Sequence, residues 1–343
     1  MNKNRRTLLT GLASAPLLAL PSRFAFGAPS TTLKISHQFP ASSGNEGDFR
    51  DQLCRRFAQE LDRRSSGAMK VNVYPGASLM KVNAQFSSMR KSALDMTLIP
   101  LSYVGGEVPE LNISLMPGLV TSYEQGFKWK TAPIGKALTD LLADKGVVLV
   151  SWIWQAGGAA SRSKPIIFPE DVKGMKFRGG SREMDLVAKA AGAATVSMPS
   201  NETYAAMQTG AIDVVTTSAT SLLSFRLQEV SKHLTINKQG KSYWFMLEPL
   251  LMSKTVFDKL PKDQQSLIMT VGAEMEKFAL AGARADDVRV AEAYVRAGAT
   301  VHELTDTALA KWVALARTSA WKDYSEKSDN NARFLKLAES VPS

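Results

Sequence analysis

Histidine and cysteine, the residues that most often bind metals or act as bases and nucleophiles, are few in this chain and widely separated. The histidines are His37, His233 and His302, and the single cysteine is Cys54. No histidine has a second histidine or a cysteine at the spacing of a metal site, and no HExxH motif occurs. The chain also lacks the GxSxG motif of α/β hydrolases and the glycine-rich turns that bind nucleotides. We therefore expect a binding protein without a metal or cofactor, and not an enzyme.

One arginine stands out by its position. In the run from Lys176 to Gly180, Arg178 lies at the predicted end of a strand and is followed by two glycines, which permit close backbone approach. A guanidinium group is a planar fork that matches a carboxylate. The residues alone leave two readings open, a carboxylate-binding group in a cleft or an ordinary surface arginine.

Alternating strand and helix patterns from residue 32 onward predict the elements that position this arginine. Apolar residues alternate from Leu33 to Phe39, and near-continuous apolar runs at 94–101 and 147–154 are typical of buried strands. This βαβ rhythm predicts parallel sheets covered by helices. The stretch from Pro261 to about Arg296 lacks strand patterns and predicts one long helix or two abutting ones.

Open α/β sheets bind ligands at the carboxyl ends of their strands, and two such lobes facing each other form a cleft. The predicted strand ends are near Phe39, Pro100, Trp154, Arg178, Met198 and Thr217. We expect the loops that follow them to project toward the cleft.

Several motifs, in this order and at these spacings, carry a family resemblance. They are FAQEL at 57–61, GAMKV at 67–71, SALDM at 92–96, LMP at 115–117, SKPI at 163–166, PEDVKGMKFR at 169–178 and YAAMQTGAID at 204–213. Over nearly all of residues 32–340 the chain resembles the extracytoplasmic solute receptors of tripartite ATP-independent periplasmic (TRAP) transporters, of the dicarboxylate-receptor type.

The resemblance implies an α/β fold with two lobes, a central ligand cleft and a long helix running along both lobes. We expect one lobe to comprise residues 32–153 and 240–278, and the other residues 154–239 and 279–343. The implied function is a periplasmic receptor that binds an organic acid and delivers it to the membrane permease subunits. A sensor subunit that presents its ligand to a membrane kinase is an alternative, and an exported hydrolase or lyase is a more distant one.

The resemblance also implies candidate site residues. Arg178 corresponds to the family's carboxylate clamp and Lys164 to a second cation position. Where the family often has Asp-Gly-x-Glu-Asn, this chain has the run from Asp213 to Thr217, so that Thr217 stands at the asparagine position. A threonine hydroxyl can donate one hydrogen bond but lacks the amide. The remaining candidates for ligand contacts are Ser181, Ser200, Trp154, Gln38 and Trp244.

The sequence restricts the chemical class of the ligand less than it restricts the position of the site. Aromatic and apolar residues near the predicted cleft loops favour an aromatic or partly apolar acid; they are Trp152, Trp154, Phe177, Tyr243, Trp244, Phe245 and Met246. A sugar acid remains an alternative, since polar residues are available at Gln38, Asn45, Glu46 and Asn201. A C4-dicarboxylate remains another, with Lys164 or Arg162 as its second cation.

The first 27 residues have the form of a twin-arginine export signal. Arg5 and Arg6 precede an apolar run to about Leu20, which is too short to span a bilayer, and small residues lead to a predicted cut after Gly27. Loss of this segment removes four cations and no acids, so the formal net charge falls from +10 to +6. The remaining cations are scattered, which argues against a nucleic-acid partner. We expect a periplasmic protein that is not itself embedded in the membrane.

Overall fold

The computed structural model describes residues 31–237 and 242–342, which form two β-sheets covered by helices. The predicted export signal lies outside the described residues. The strands are β1 (Thr31–His37), β2 (Met69–Tyr74), β3 (Met96–Leu98), β4 (Val147–Ser151), β5 (Trp154–Ser161), β6 (Lys176–Arg178), β7 (Ala194–Thr195), β8 (Val214–Ser218), β9 (His233–Ile236), β10 (Phe245–Leu247), β11 (Leu250–Ser253) and β12 (Thr300–Glu303).

The α-helices cover both sheets. They are α1 (Phe49–Arg64), α2 (Val82–Arg90), α3 (Tyr123–Trp129), α4 (Pro133–Asp144), α5 (Arg182–Ala190), α6 (Thr203–Thr209), α7 (Ala219–Ser224), α8 (Lys254–Lys259), α9 (Lys262–Arg296), α10 (Asp306–Ala316), α11 (Lys322–Glu326) and α12 (Asp329–Glu339). In the part of the chain that the structure describes, no helix is both long and apolar enough to cross a membrane.

The first sheet has the strand order β2-β1-β3-β11-β4 and forms the core of one lobe. Strands β1, β2 and β3 run parallel to one another, while β11 is antiparallel to both of its neighbours. The predicted strand at 94–101 is shorter than expected, because β3 ends at Leu98 and a 3₁₀ turn follows at Leu101–Val104. Pro100 precedes that turn, and proline has no N–H group with which to continue a strand ladder.

The second sheet has the strand order β12-β9-β5-β8-β6-β7, with β10 paired to β5, and forms the core of the other lobe. Strand β6 is parallel to β8, with Arg178 opposite Val215. Because β6, β7 and β8 point the same way, their carboxyl ends meet at one edge of the sheet. This arrangement brings Arg178, Met198 and Thr217 to the same edge.

The chain passes directly from one sheet to the other at two places. Trp152 and Ile153 join β4 to β5, and Glu248 and Pro249 join β10 to β11. Helix α9 is a single helix that packs on α1 and β4 of the first lobe and on α7 and β5 of the second. The two-lobed α/β fold predicted from the sequence is confirmed. The lobe boundaries remain a prediction. Within residues 279–343, which we assigned to the second lobe, α10 packs on α5 of that lobe, whereas α12 packs on α4 of the first lobe.

Candidate functional site

Arg178 is the last residue of β6 and lies in the protein interior, with 1% of its surface exposed. The chain turns sharply after it because Gly180 adopts a φ of +87°, a conformation that glycine takes readily. A Cβ atom at Gly180 would lie 2.9 Å from Nη1 of Arg178, so a larger residue at this position would displace the guanidinium. Helix α5 then begins at its cap, Ser181, whose hydroxyl accepts from the N–H of Met184.

Three neutral oxygen atoms hold the Arg178 guanidinium. Nε donates to the carbonyl of Met198 at 3.0 Å, and Nη1 donates to the carbonyl of Thr216 at 2.9 Å. Nη2 donates to the Tyr103 hydroxyl at 2.8 Å. A guanidinium carries five N–H bonds, so one N–H on each terminal nitrogen has no protein acceptor among the described residues. A carboxylate can accept hydrogen bonds from two guanidinium N–H groups in bidentate fashion.

No aspartate or glutamate of the described residues forms an ion pair with Arg178. The nearby Asp185 instead accepts a hydrogen bond from the backbone N–H of Gly179 at 2.9 Å. Burial raises the pKa of Asp185 to about 6, opposed by that hydrogen bond and by the charge of Arg178. An isolated buried charge is costly, and arginine keeps its proton. The site therefore carries a buried positive charge suited to an anion.

Tyr103 reaches this site from the other lobe. It lies in the 3₁₀ turn after β3, and its hydroxyl contacts Arg178 together with the N–H and Oγ of Ser200, at 3.0 and 3.2 Å. Its neighbour Ser102 donates to the carbonyl of Gly180 at 3.2 Å. Sequence reasoning missed Tyr103, although it predicted that the loop near Pro100 would project toward the cleft.

The structure brings three predicted site residues to the neighbourhood of Arg178. Ser200 shares the Tyr103 hydroxyl with Arg178. Ser181 follows two residues after Gly179 and donates to the carbonyl of Leu115 at 3.2 Å. Thr217 follows Thr216, the residue whose carbonyl accepts from Arg178, and is 3% exposed.

The two predicted tryptophans have different surroundings. Trp244 donates from Nε1 to the carbonyl of Gly179 at 3.3 Å. Its ring lies over Gly157, where a Cβ atom would come within 2.4 Å of Cε3. Trp154 packs edge-on against Trp129, with ring centroids 5.3 Å apart, and is 1% exposed. Trp244 thus adjoins the Arg178 turn, while Trp154 belongs to an aromatic cluster.

Gln38 and Lys164, the other two candidates, show no bonded link to the site. Gln38 is buried after β1, and neither atom of its amide has a hydrogen-bond partner within the described ranges. Lys164 is exposed after β5. No hydrogen bond or ion pair of the described residues connects either side chain to Arg178 or its partners.

A second buried arginine, Arg50, lies at the start of α1. Its Nε and Nη2 donate to the two carboxylate oxygens of Asp48 at 2.9 and 2.7 Å, and Nη1 donates to Glu248 at 3.1 Å. Nη2 also donates to Ser221 at 3.0 Å and Nη1 to Ser218 at 3.5 Å. All five N–H bonds are used, and two carboxylates surround one cation.

A groove of about 700 Å³ between the two lobes is lined by neighbours of Arg178, although Arg178 itself is not among its lining residues. Tyr103 and Asn112 line it from the first lobe, and Gly180, Ser181 and Met198 line it from the second. Within the described ranges, no group of three or more histidine, cysteine, aspartate or glutamate side chains is arranged to hold a metal ion. The chemistry that this arrangement offers is therefore reversible recognition of an anion between two lobes.

Known proteins share both the sequence and the fold. Residues 41–327 match the family model described as bacterial extracellular solute-binding protein, family 7 (DctP). A solute-binding protein of Albidiferax ferrireducens is 62% identical and covers 98% of both chains. A TRAP periplasmic solute-binding protein from Rhodoferax ferrireducens, solved with bound malonate, is 64% identical with a TM-score of 0.88, over 90% of this chain and 98% of that one.

A more distant structure shows the fold alone. The TRAP periplasmic solute-binding protein of a Sulfitobacter species, solved with bound β-D-galacturonate, is 21% identical, with a TM-score of 0.82 over 90% of this chain and 99% of that one. The family match extends from the first lobe through the second and includes Arg178. The chain therefore belongs to bacterial extracellular solute-binding protein family 7, the family of TRAP-transporter solute receptors.

Proposed function

We propose that this protein is a periplasmic receptor that binds an organic acid by a carboxylate on Arg178 and delivers it to the membrane subunits of a TRAP transporter. The observation that carries the proposal is the buried Arg178 guanidinium, which among the described residues has only neutral acceptors and leaves one N–H on each terminal nitrogen without a partner. No chemical change of the ligand is involved, and the work of the protein is selection and release.

The physical reason is that burial makes the guanidinium selective. Water competes weakly for hydrogen bonds in an enclosed site. A carboxylate bound there therefore forms stronger charge-assisted hydrogen bonds with the guanidinium than it would in water. A neutral sugar or amide offers no charge to compensate the buried cation. An amine would add a second positive charge. Arg178 therefore favours acids over their neutral analogues.

Among acids, we propose a small aliphatic one. Of the residues on which the predicted preference for aromatic acids rested, Trp154 and Phe245 pack on each other with centroids 5.8 Å apart. Malonate in the Rhodoferax ferrireducens relative supports a short acid. The aromatic preference stays a prediction that the same experiment tests.

Delivery follows from the two-lobed build. The Tyr103 hydroxyl of the first lobe contacts Arg178 of the second lobe, so lobe closure and ligand binding involve the same side chain. A closed receptor presents a different surface from an open one, which a membrane partner can distinguish. The predicted export signal agrees with a periplasmic location.

A thermal-shift screen of matched acids and amides tests the proposal. The melting temperature of the purified mature protein is measured with each of malonate, malonamide, succinate, galacturonate, phenylacetate and phenylacetamide. A ligand at 100 times Kd stabilises the native state by about 2.7 kcal/mol. We expect shifts from acids and none from their amides. Shifts produced only by neutral compounds would contradict carboxylate recognition, and a clear lead for phenylacetate would restore the aromatic preference.

A further inference from the structure

We infer that Tyr103 is a positioning residue that couples closure of the lobes to the affinity of Arg178 for the ligand carboxylate. The inference rests on the proposed function of Arg178 and assigns a role to a residue of the opposite lobe. It starts from one hydroxyl group that joins the two lobes at the guanidinium itself.

The Tyr103 hydroxyl has a saturated set of hydrogen bonds. It accepts from Nη2 of Arg178 at 2.8 Å and from the N–H of Ser200 at 3.0 Å, and it lies 3.2 Å from Oγ of Ser200. A phenol has two acceptor positions and one proton to donate. With both acceptor positions filled, its proton is available to Ser200. The hydroxyl therefore has one favourable position, and that position requires both lobes to be in place.

Among the described residues, the other hydrogen-bond acceptors of the guanidinium belong to the second lobe. Nε and Nη1 are held by the carbonyls of Met198 and Thr216, which lie beside β7 and in β8. Nη2 has Tyr103 as its protein acceptor among the described residues. When the lobes separate, Nη2 loses this acceptor while Nε and Nη1 keep theirs. The fork presented to a carboxylate is thus fully oriented only in the closed protein.

Lobe closure consequently adds more than contacts to the ligand. Orienting the guanidinium in advance removes an ordering cost from binding, and that advantage disappears when the cleft opens. We expect the Tyr103 hydroxyl to slow ligand release, with little effect on the rate of association. The effect should be the same for every acid that uses Arg178.

The chain offers a matched control in Ser102. Its hydroxyl also crosses between the lobes, to the carbonyl of Gly180 at 3.2 Å, but it does not touch the guanidinium. Tyr103→Phe removes one hydroxyl that crosses the cleft and holds Arg178. Ser102→Ala removes one that crosses the cleft only. Comparing the two separates positioning of the guanidinium from simple adhesion of the lobes.

The experiment measures malonate binding by calorimetric titration and stopped-flow fluorescence for the wild type, Tyr103→Phe and Ser102→Ala. We expect Tyr103→Phe to raise Kd about tenfold or more, the effect of one hydrogen bond to a charged group, through faster dissociation. Ser102→Ala should change Kd less than threefold. If malonate does not bind the wild type, the best acid of the thermal-shift screen replaces it.

The outcomes separate this inference from the function on which it rests. Tyr103→Phe that binds as tightly as wild type, or more tightly, overturns the positioning role while leaving the receptor function intact. Equal losses in both variants would show that any contact across the cleft has the same effect, which also overturns it. A wild type that binds no acid at all refutes the proposed function and this inference together. Unchanged near-ultraviolet circular dichroism checks that each variant is folded.

Discussion

Two arginines of the described residues are equally buried, each 1% exposed, but have different partners. Arg50 donates all five of its N–H bonds and pairs with the carboxylates of Asp48 and Glu248. Arg178 donates three N–H bonds, all to neutral oxygens, and pairs with no carboxylate of the described residues. One cation is compensated by carboxylates within the protein, and the other is the cation to which we assign the ligand carboxylate.

The comparison shows that burial alone does not mark a binding residue. Arg50 also lies over the ring of Phe39, with Cζ 3.6 Å from the centroid, and its partner Glu248 accepts from Gln155. These contacts join α1 of the first lobe to Glu248, in the connection between β10 and β11, and to the second lobe. Arg50 therefore has a structural role at a place where the chain passes from one sheet to the other. The incomplete donor set of Arg178, rather than its depth, points to a ligand.

Replacing Arg50 should have the largest effect, and the effect should fall on stability. Arg50→Met leaves Asp48 and Glu248 without their buried cation, which should lower the free energy of unfolding by about 3–5 kcal/mol. Urea denaturation followed by circular dichroism measures the change. Adding Glu248→Gln removes one uncompensated carboxylate and should restore part of the loss. A single variant within 1 kcal/mol of wild type would contradict the structural role.

Replacing Arg178 should have the opposite signature, lost affinity with retained stability. Arg178→Ala should weaken binding of the best acid by about 2–5 kcal/mol, which is roughly 30-fold to several thousand-fold in Kd. Arg178→Lys should also bind poorly, because a single ammonium cannot reproduce the fork. Calorimetric titration gives both values.

Arg63 provides the control for that experiment. It lies near the end of α1, is exposed and pairs with Glu60 at 2.7 Å. Arg63→Gln removes the same formal charge away from the groove, and we expect affinity within a few-fold of wild type. Tight binding by folded Arg178→Ala would show that the clamp is not at Arg178.

Much of this arrangement could be predicted from local sequence, because strand ends and turns are local features. The two glycines after Arg178 predicted close backbone approach at that strand end, and the βαβ rhythm predicted that the strand end lies at a sheet edge. The role of Arg50 could not be predicted in this way. In sequence it is one of several arginines of α1, and its burial depends on Glu248, almost two hundred residues away.

The tryptophans show the same limit. Trp154 and Trp244 both belong to strand regions near predicted cleft loops. Trp154 packs on Trp129, whereas Trp244 reaches the Gly179 carbonyl because Gly157 leaves room for its ring. These neighbours follow from pairing between distant strands. Tyr103 was missed for that reason, since its partners lie in the other lobe.

A buried acid sharpens the comparison, because it can lose its charge while an arginine cannot. Glu183 is fully buried at the start of α5, and neither carboxylate oxygen accepts a hydrogen bond within the described ranges. Burial raises its pKa from 4.5 to about 7, opposed by its own backbone N–H and by the positive charges of Arg182 and Lys327. Between about pH 4.5 and 7, the folded protein therefore keeps a proton on Glu183 that the unfolded chain has already released.

This proton makes stability fall as pH rises. The neutral form contributes fully below about pH 4.5, and its contribution is lost as pH approaches 7. The total change is up to about 3 kcal/mol. Glu183→Gln should remove this slope, so its free energy of unfolding should exceed that of wild type at pH 8 and approach it at pH 5. Parallel stability curves for the two proteins would show that Glu183 ionises normally. Other buried acids contribute equally to both curves.

A smaller loss of affinity than at Arg178 is expected at Thr217, which tests how far the ligand site extends from Arg178 along β8. Thr217 lies opposite Gly158 and is 3% exposed. Thr217→Val keeps the shape and removes the hydroxyl, and should weaken binding by about 1.5 kcal/mol, or roughly tenfold in Kd. Thr217→Asn restores the amide that related receptors often have at this position and should bind at least as well as wild type.

The neighbouring Thr216 supplies the contrast. Its hydroxyl donates to the Gly179 carbonyl at 2.8 Å, within the turn that follows Arg178. Thr216→Val should therefore lower stability by about 1 kcal/mol, because it removes a buried hydrogen bond of that turn. Titration and urea denaturation of both valine variants give the two quantities. If Thr217→Val binds within twofold of wild type, the acid does not touch Thr217, and the site ends at the Arg178 fork and its lobe-crossing partner Tyr103.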